Sequence, residues 1–272
     1  MKKLMIAASA ALCATVGFAE LASANIVGYS TVELANQNTL VGINYLGVGG
    51  GAMALNDAVP YADGMVTGNS TTSADNIQVQ NAEGGYNIYY ISNGKNAKGA
   101  AINGLENKWA NSGKYVPTTD TVSAGNVFWY IRNGWTAESA PLTITIAGEV
   151  NTLATADTTV NLAFKLITNP YPADLPLNDG IPYVEGMTSG NSTTSADNIQ
   201  IQNAEGGYDI YYMSNGKNAK GATISGLEGK WAASGKYVPA SSNAVIPANK
   251  GAWYCRKGTT DFKITVARPF DL

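Results

Sequence analysis

The sequence predicts an all-β protein: two tandem homologous antiparallel β-sandwich or barrel-like domains behind an N-terminal signal peptide. Three observations carry the expectation. The first is an internal repeat. Gly68–Gly99 reads GNSTTSADNIQVQNAEGGYNIYYISNGKNAKG, and Gly190–Gly221 repeats it at an offset of 122 residues with differences only at Val79/Ile201, Asn87/Asp209 and Ile91/Met213. That period is domain-sized, far above the 20–50 residues of solenoid repeats. The second is period-two alternation, the strand signature. The third is turn punctuation by Gly84-Gly85, Asn93-Gly94, Asn133-Gly134, Gly206-Gly207 and Asn215-Gly216. Asn-Gly favours tight turns because both residues tolerate positive φ.

The elements follow in chain order. Met1-Lys2-Lys3, an apolar run from Leu4 to Ala19 and the small-x-small tripeptide Ala22-Ser23-Ala24 have the order of a secretory signal, with cleavage expected after Ala24 and Ala19 as the other candidate. The run is shorter than the ~20 residues of a spanning helix. Cys13 lacks the leucine three residues upstream that a lipoprotein signal carries. The domains are then 1–24 signal peptide, 25–148 first repeat and 149–272 second repeat. The match extends through Trp109/Trp231 and the Gly-Lys-Tyr-Val-Pro runs at 113–117 and 235–239. A two-residue insertion then brings Trp129-Tyr130 onto Trp253-Tyr254 and Arg132 onto Arg256.

In Asn76–Gln80, Ile77 and Val79 share one face and the glutamines the other. Leu142–Ile146 alternates as cleanly, and Phe262–Val266 keeps its apolar face. In Tyr86–Ile91, Tyr86, Ile88 and Tyr90 share one face. The other face holds Asn87, Tyr89 and Ile91; the Asn87/Asp209 difference predicts that it meets solvent, since a buried unpaired carboxylate is costly. In Phe128–Arg132, Trp129 and Ile131 are expected inward, with Tyr130 and Arg132 outward. Cys255 stands where the first repeat has Ile131 and is expected to be a buried apolar residue.

Composition excludes several functions. Without the signal segment the chain carries 15 basic and 19 acidic residues, a net charge of −4. That argues against nucleic acid, whose affinity rests on Lys/Arg–phosphate contacts, and gives no reason to dock on anionic lipid. There is no histidine, which removes Ser-His-Asp and Cys-His catalysis and the commonest transition-metal ligand. Only Cys255 remains after signal cleavage, so neither an internal disulfide nor a thiolate zinc site is available. Gly47–Gly51 lacks the strand-to-helix setting of a phosphate loop and reads as a turn. No enzyme activity, metal or cofactor is expected.

Asn161-Leu162 through Asn169-Pro170-Tyr171-Pro172, Val122–Trp129 and Leu142–Val150 are similar to the "NL-x-NPYP", "I-x-x-G-x-x-F-W" and "L-x-L-x-G-E-V" segments of β-rich modules in secreted and surface proteins of Gram-negative bacteria. The resemblance implies an extracellular β module with no assigned catalytic residues. The first repeat has Gly47–Gly51 in place of the NPYP run, and the second ends in Arg268-Pro269-Phe270 without Gly-Glu-Val.

The leading functional expectation is a non-enzymatic structural or adhesion protein, secreted or held at the cell surface or periplasm, with other envelope proteins or further copies of itself as partners. The second is glycan binding by exposed aromatics beside amide and acid groups. The candidates are Tyr89, Trp109, Tyr115 and Asn87 in the first repeat, and Tyr211, Trp231, Tyr237 and Asp209 in the second. Two such modules would bind a polymer with avidity. The third is glycoside hydrolysis by Asp75 with Glu83, or Asp197 with Glu205; the same acids are candidates for Ca²⁺, though no calcium-loop spacing is present. Asn69-Ser70-Thr71 and Asn191-Ser192-Thr193 match the glycosylation sequon but are expected to serve as turn residues.

Overall fold

A computed structural model describes residues 26–271, so the expected signal peptide and Cys13 lie outside the described residues. Strands make up 43% of the chain and helix 3%, and every pairing between the strands named below is antiparallel: the fold is all-β. No helix among the described residues is long and apolar enough to cross a membrane.

The first half holds β1 (Val27–Leu34), β2 (Asn38–Gly42), β3 (Tyr45–Leu46), β4 (Met53–Ala54), β5 (Asn76–Gln80), β6 (Tyr86–Ile91), β7 (Trp109–Asn111), β8 (Thr121–Val122), β9 (Val127–Ile131) and β10 (Leu142–Val150). The second holds β11 (Thr155–Val160), β12 (Phe164–Ile167), β13 (Leu175–Pro176), β14 (Asn198–Gln202), β15 (Tyr208–Lys217), β16 (Thr223–Ala233), β17 (Val245–Ile246), β18 (Ala252–Cys255) and β19 (Phe262–Ala267). Apart from β3, the sheets correspond strand for strand. A five-stranded sheet has the order β2-β9-β5-β6-β7 in one half and β12-β18-β14-β15-β16 in the other. A long ribbon, β1–β10 or β11–β19, supplies the second layer; β3 adds to it in the first half only. Each half has its own core. In the first, Val32, Leu34, Ile144 and Ile146 of the ribbon meet Ile77, Phe128 and Tyr130 of the sheet. In the second, Val160, Ile264 and Val266 meet Ile199 and Tyr254.

The alternation expected at 142–146 and 262–266 is present; β10 runs buried-exposed over its first six residues. At 76–80 it is not: Asn76 and Ile77 are buried and Gln78, Val79 and Gln80 are half-buried, because β5 lies inside the sheet between β9 and β6. The facing of β9 is the reverse of the expectation. Phe128 and Tyr130 are fully buried in the core of their own half, while Trp129 and Ile131 lie half-buried on the opposite face. Both faces of this interior strand are covered, so period-two patterning finds two apolar rows and cannot rank them.

The opposite face is a seam between the halves, built with approximate two-fold symmetry. Gln80 donates from Nε2 to the Phe164 carbonyl (2.9 Å) and accepts at Oε1 from Leu166 N–H (3.0 Å). Its repeat counterpart Gln202 does the same to Asn38 (2.8 Å) and Leu40 (3.3 Å). Each side-chain amide thus extends the hydrogen-bond ladder of the other half's edge strand, where bare backbone groups would otherwise be left. Near a two-fold axis equivalent positions meet one another. Leu40 and Leu166 share one apolar cluster, and the Trp129 and Trp253 ring centroids lie 6.4 Å apart.

Two equivalent pairs have diverged into a small residue against a large one. A Cβ on Gly42 would sit 2.1 Å from Thr168 Oγ1, and one on Gly251 would sit 2.3 Å from Val127 Cγ1. The strand registers make Thr168 the counterpart of Gly42 and Val127 that of Gly251. Restoring the larger residue with Gly251→Val is therefore expected to force the seam apart. Overpacking costs roughly 1–3 kcal/mol. The expected calorimetric outcome is a lower midpoint with the single transition broadening or splitting; an unchanged transition would contradict the seam.

Candidate functional site

The aromatic residues expected to bind glycan are mostly structural. Trp109 and Trp231 are 0% exposed. The Trp109 indole N–H donates to the Val59 carbonyl (2.6 Å), and its backbone N–H donates to Asn56 Oδ1 (2.7 Å). Trp231 repeats this with Ile181 (2.7 Å) and Asn178 (2.7 Å). The polar residues flanking each Trp in sequence suggested exposure, but the alternation of a strand points neighbours to opposite faces. Tyr89 is also buried, not exposed. Its hydroxyl donates to Asp120 Oδ2 (2.7 Å), which accepts from Asn111 as well (2.9 Å). Burial and the Asp120 carboxylate raise the Tyr89 hydroxyl above its ordinary value. Ser242 and Ala233 replace this acid and amide in the second half, and there Tyr211 is half-buried. Tyr115 and Tyr237 are half-buried, and Asn87 and Asp209 are exposed. With the Trp rings inside, these eight residues form no common binding face.

The candidate carboxylate pairs divide in the same way. Asp75 is 1% exposed and Asp197 is 0% exposed. Asp75 accepts from Asn133 N–H (2.7 Å), Val66 N–H (3.2 Å) and the Tyr130 hydroxyl (2.9 Å). Asp197 accepts from Lys257 N–H (2.6 Å), Thr188 N–H (3.1 Å) and the Tyr254 hydroxyl (2.9 Å). Both acids are fasteners of three chain segments. Glu83 and Glu205 are exposed in the following turns. The serines beside the sequon asparagines bond locally, Ser70 to Ser73 and Ser192 to Ser195, as turn residues do.

Cys255 is 4% exposed, and burial pushes its thiol up to about 11. At pH 8 only about one thiol in a thousand is then ionised, and the thiolate is the reactive form. Iodoacetamide should label the folded protein far more slowly than the urea-unfolded chain; equal rates would place the thiol at the surface.

A different group of residues gathers at the seam. Asn36, Gln37 and Asn38 precede and open β2. They border a cleft of about 300 Å³ with Trp129, Trp135, Tyr208, Gln202, Glu205 and Gly206. A second hollow of about 310 Å³ shares Asn36 and Gln202 with it and reaches Glu33, Thr39 and Lys250. Trp135 is half-buried and fixed by its indole N–H on the Ala35 carbonyl (3.0 Å). Burial raises the Tyr208 hydroxyl above its ordinary value, against an opposing hydrogen bond with the Trp253 side chain. Two repeat differences create this cleft. Asn38 stands where the second half has Phe164, whose ring is set edge-on against Trp253 (6.5 Å). Trp135 stands where the second half has Thr259. The signal available in the sequence was this departure between the copies.

The fold and its polar groups define an all-β chain of two equivalent halves joined at an aromatic- and amide-rich seam. No protein-family model, no curated protein and no solved structure matches this chain.

Proposed function

We propose that the chain is an exported, non-enzymatic structural or adhesion protein of the Gram-negative cell envelope or extracellular space, built on the β-rich module that its NPYP and FW…GEV segments resemble. The observation that carries this reading is the use made of its reactive groups. Asp75 and Asp197, the acids a hydrolase would need, are buried and committed to backbone donors. The outer face of the first ribbon supports contact with other envelope proteins or further copies: Val27 and Tyr29 are each 73% exposed, and Val48, in the turn after β3, is 94% exposed. Val27 and Tyr29 stand two residues apart on one strand face, and an exposed apolar patch is a usual mark of an interaction site. The corresponding outer face of β11–β19 is polar, with Asp157 bonded to Thr265 and Lys263. Fractionation of expressing cells tests the proposal. The mature chain is expected in the envelope or medium, associating in light scattering and losing that association in Val27→Ser/Tyr29→Ser. A cytoplasmic, strictly monomeric product would refute it.

A further inference from the structure

We infer that the seam cleft is a saccharide-binding site, which gives the adhesion reading above its ligand class and rests on that reading. The cleft supplies the two kinds of group that a sugar ring requires. Trp129, Trp135 and Tyr208 offer aromatic surface. The face of an aromatic ring is electron-rich, and the flat side of a pyranose presents weakly positive C–H groups to it. Around these rings stand the amides of Asn36, Gln37 and Asn38 and the carboxylate of Glu205, whose side chains are bonded to nothing else among the described residues. An amide both donates and accepts, as does each sugar hydroxyl, so neighbouring hydroxyls can be paired with little reorganisation.

The adjoining hollow extends the site. There Thr39 is 4% exposed, and its hydroxyl is a buried polar atom with no hydrogen-bond partner. Such an atom normally carries a cost, which a ligand hydroxyl would relieve. The two hollows together fall within the roughly 300–1,000 Å³ of small-molecule sites, room for a short stretch of oligosaccharide crossing Asn36 and Gln202. Proline-rich peptides also use aromatic grooves, but they call on few side-chain hydrogen bonds. Four uncommitted polar side chains around one cleft favour the sugar.

The divergence of the two halves also bears on this. On the opposite side of the seam, Leu162 lies against Gly84, and Phe164 is set against Trp253. The side with Asn38 and Trp135 carries the amides of Asn36 and Asn38 where the other side carries Leu162 and Phe164.

The test is a titration of the full chain with short β-glucan, chitin, mannan, galactan and xylan oligosaccharides, read by tryptophan fluorescence and calorimetry. Saturable binding to at least one is expected. Trp135→Ala should weaken it about tenfold, the loss of a favourable aromatic contact. Asn38→Phe copies the second half's residue and should abolish binding while leaving the thermal midpoint unchanged or higher, so lost binding is not confused with lost folding. No binding to any probe, binding indifferent to both variants, or preference for a proline-rich decapeptide would overturn the inference. Envelope localisation is measured separately, so failure here leaves the broader reading standing.

Discussion

Replacing Trp109 with alanine is expected to destabilise the first half by about 3–5 kcal/mol, the range for losing a buried Trp or Phe. The ring is fully buried and meets Tyr130 edge-on at 6.1 Å, with planes 89° apart. Removing it opens a cavity and strands the Val59 carbonyl that its N–H satisfies. Trp231→Ala should cost the same, because the Trp231–Tyr254 pair has the same geometry at 6.0 Å and 90°. The loss is a large fraction of the 5–15 kcal/mol that holds a typical domain together. Urea denaturation of each variant measures it. A surface role for these rings, as a sugar platform, predicts almost no change in midpoint, so the experiment separates the two readings of the same residues.

Asp75→Ala should be comparably severe, at about 3–5 kcal/mol. It leaves two backbone N–H groups and a tyrosine hydroxyl without their acceptor, and each stranded buried donor costs roughly 1–3 kcal/mol. Asp75→Asn should cost less, since its amide oxygen still serves part of the set while its NH₂ faces a donor. The aspartate also leaves a pH signature. Burial raises its carboxyl above the ordinary 3.8, against the opposing hydrogen bonds from Asn133, Tyr130 and Val66. The folded state therefore holds this proton more tightly than the unfolded chain does. Ionised Asp75 costs stability above the folded value, and that cost is relieved as pH falls from the folded value towards 3.8. In Asp75→Asn this contribution should vanish, so the difference between wild type and variant should change across that window. A difference that stays constant with pH would contradict the shift.

These two positions show how the sequence could be misread. Asp75 and Glu83 bracket a strand and its turn, which suits a catalytic pair on paper. What separates them is that Tyr130 and Asn133, more than fifty residues downstream, close around one acid and leave the other in solvent. Trp109 has a similar history. Its neighbours Lys108 and Asn107 are polar, yet the indole turns inward to Val59, fifty residues upstream. Local composition carries no record of such partners.

The sequence by itself determined the strand class, the turns and the duplication, because these depend on contacts between near neighbours: alternation sets which side chains share a face, and Asn-Gly sets where the chain reverses. It also fixed the absence of histidine and the near-neutral charge that shaped the functional reading. Only the tertiary structure decided which apolar row of β9 faces its own core, because the second half covers the other row. It alone brought Asn38, Trp129, Trp135 and Glu205 to one cleft. Those residues come from separate strands and turns of two copies, and they meet because the halves pair about an approximate two-fold axis, a relation with no local trace in either copy.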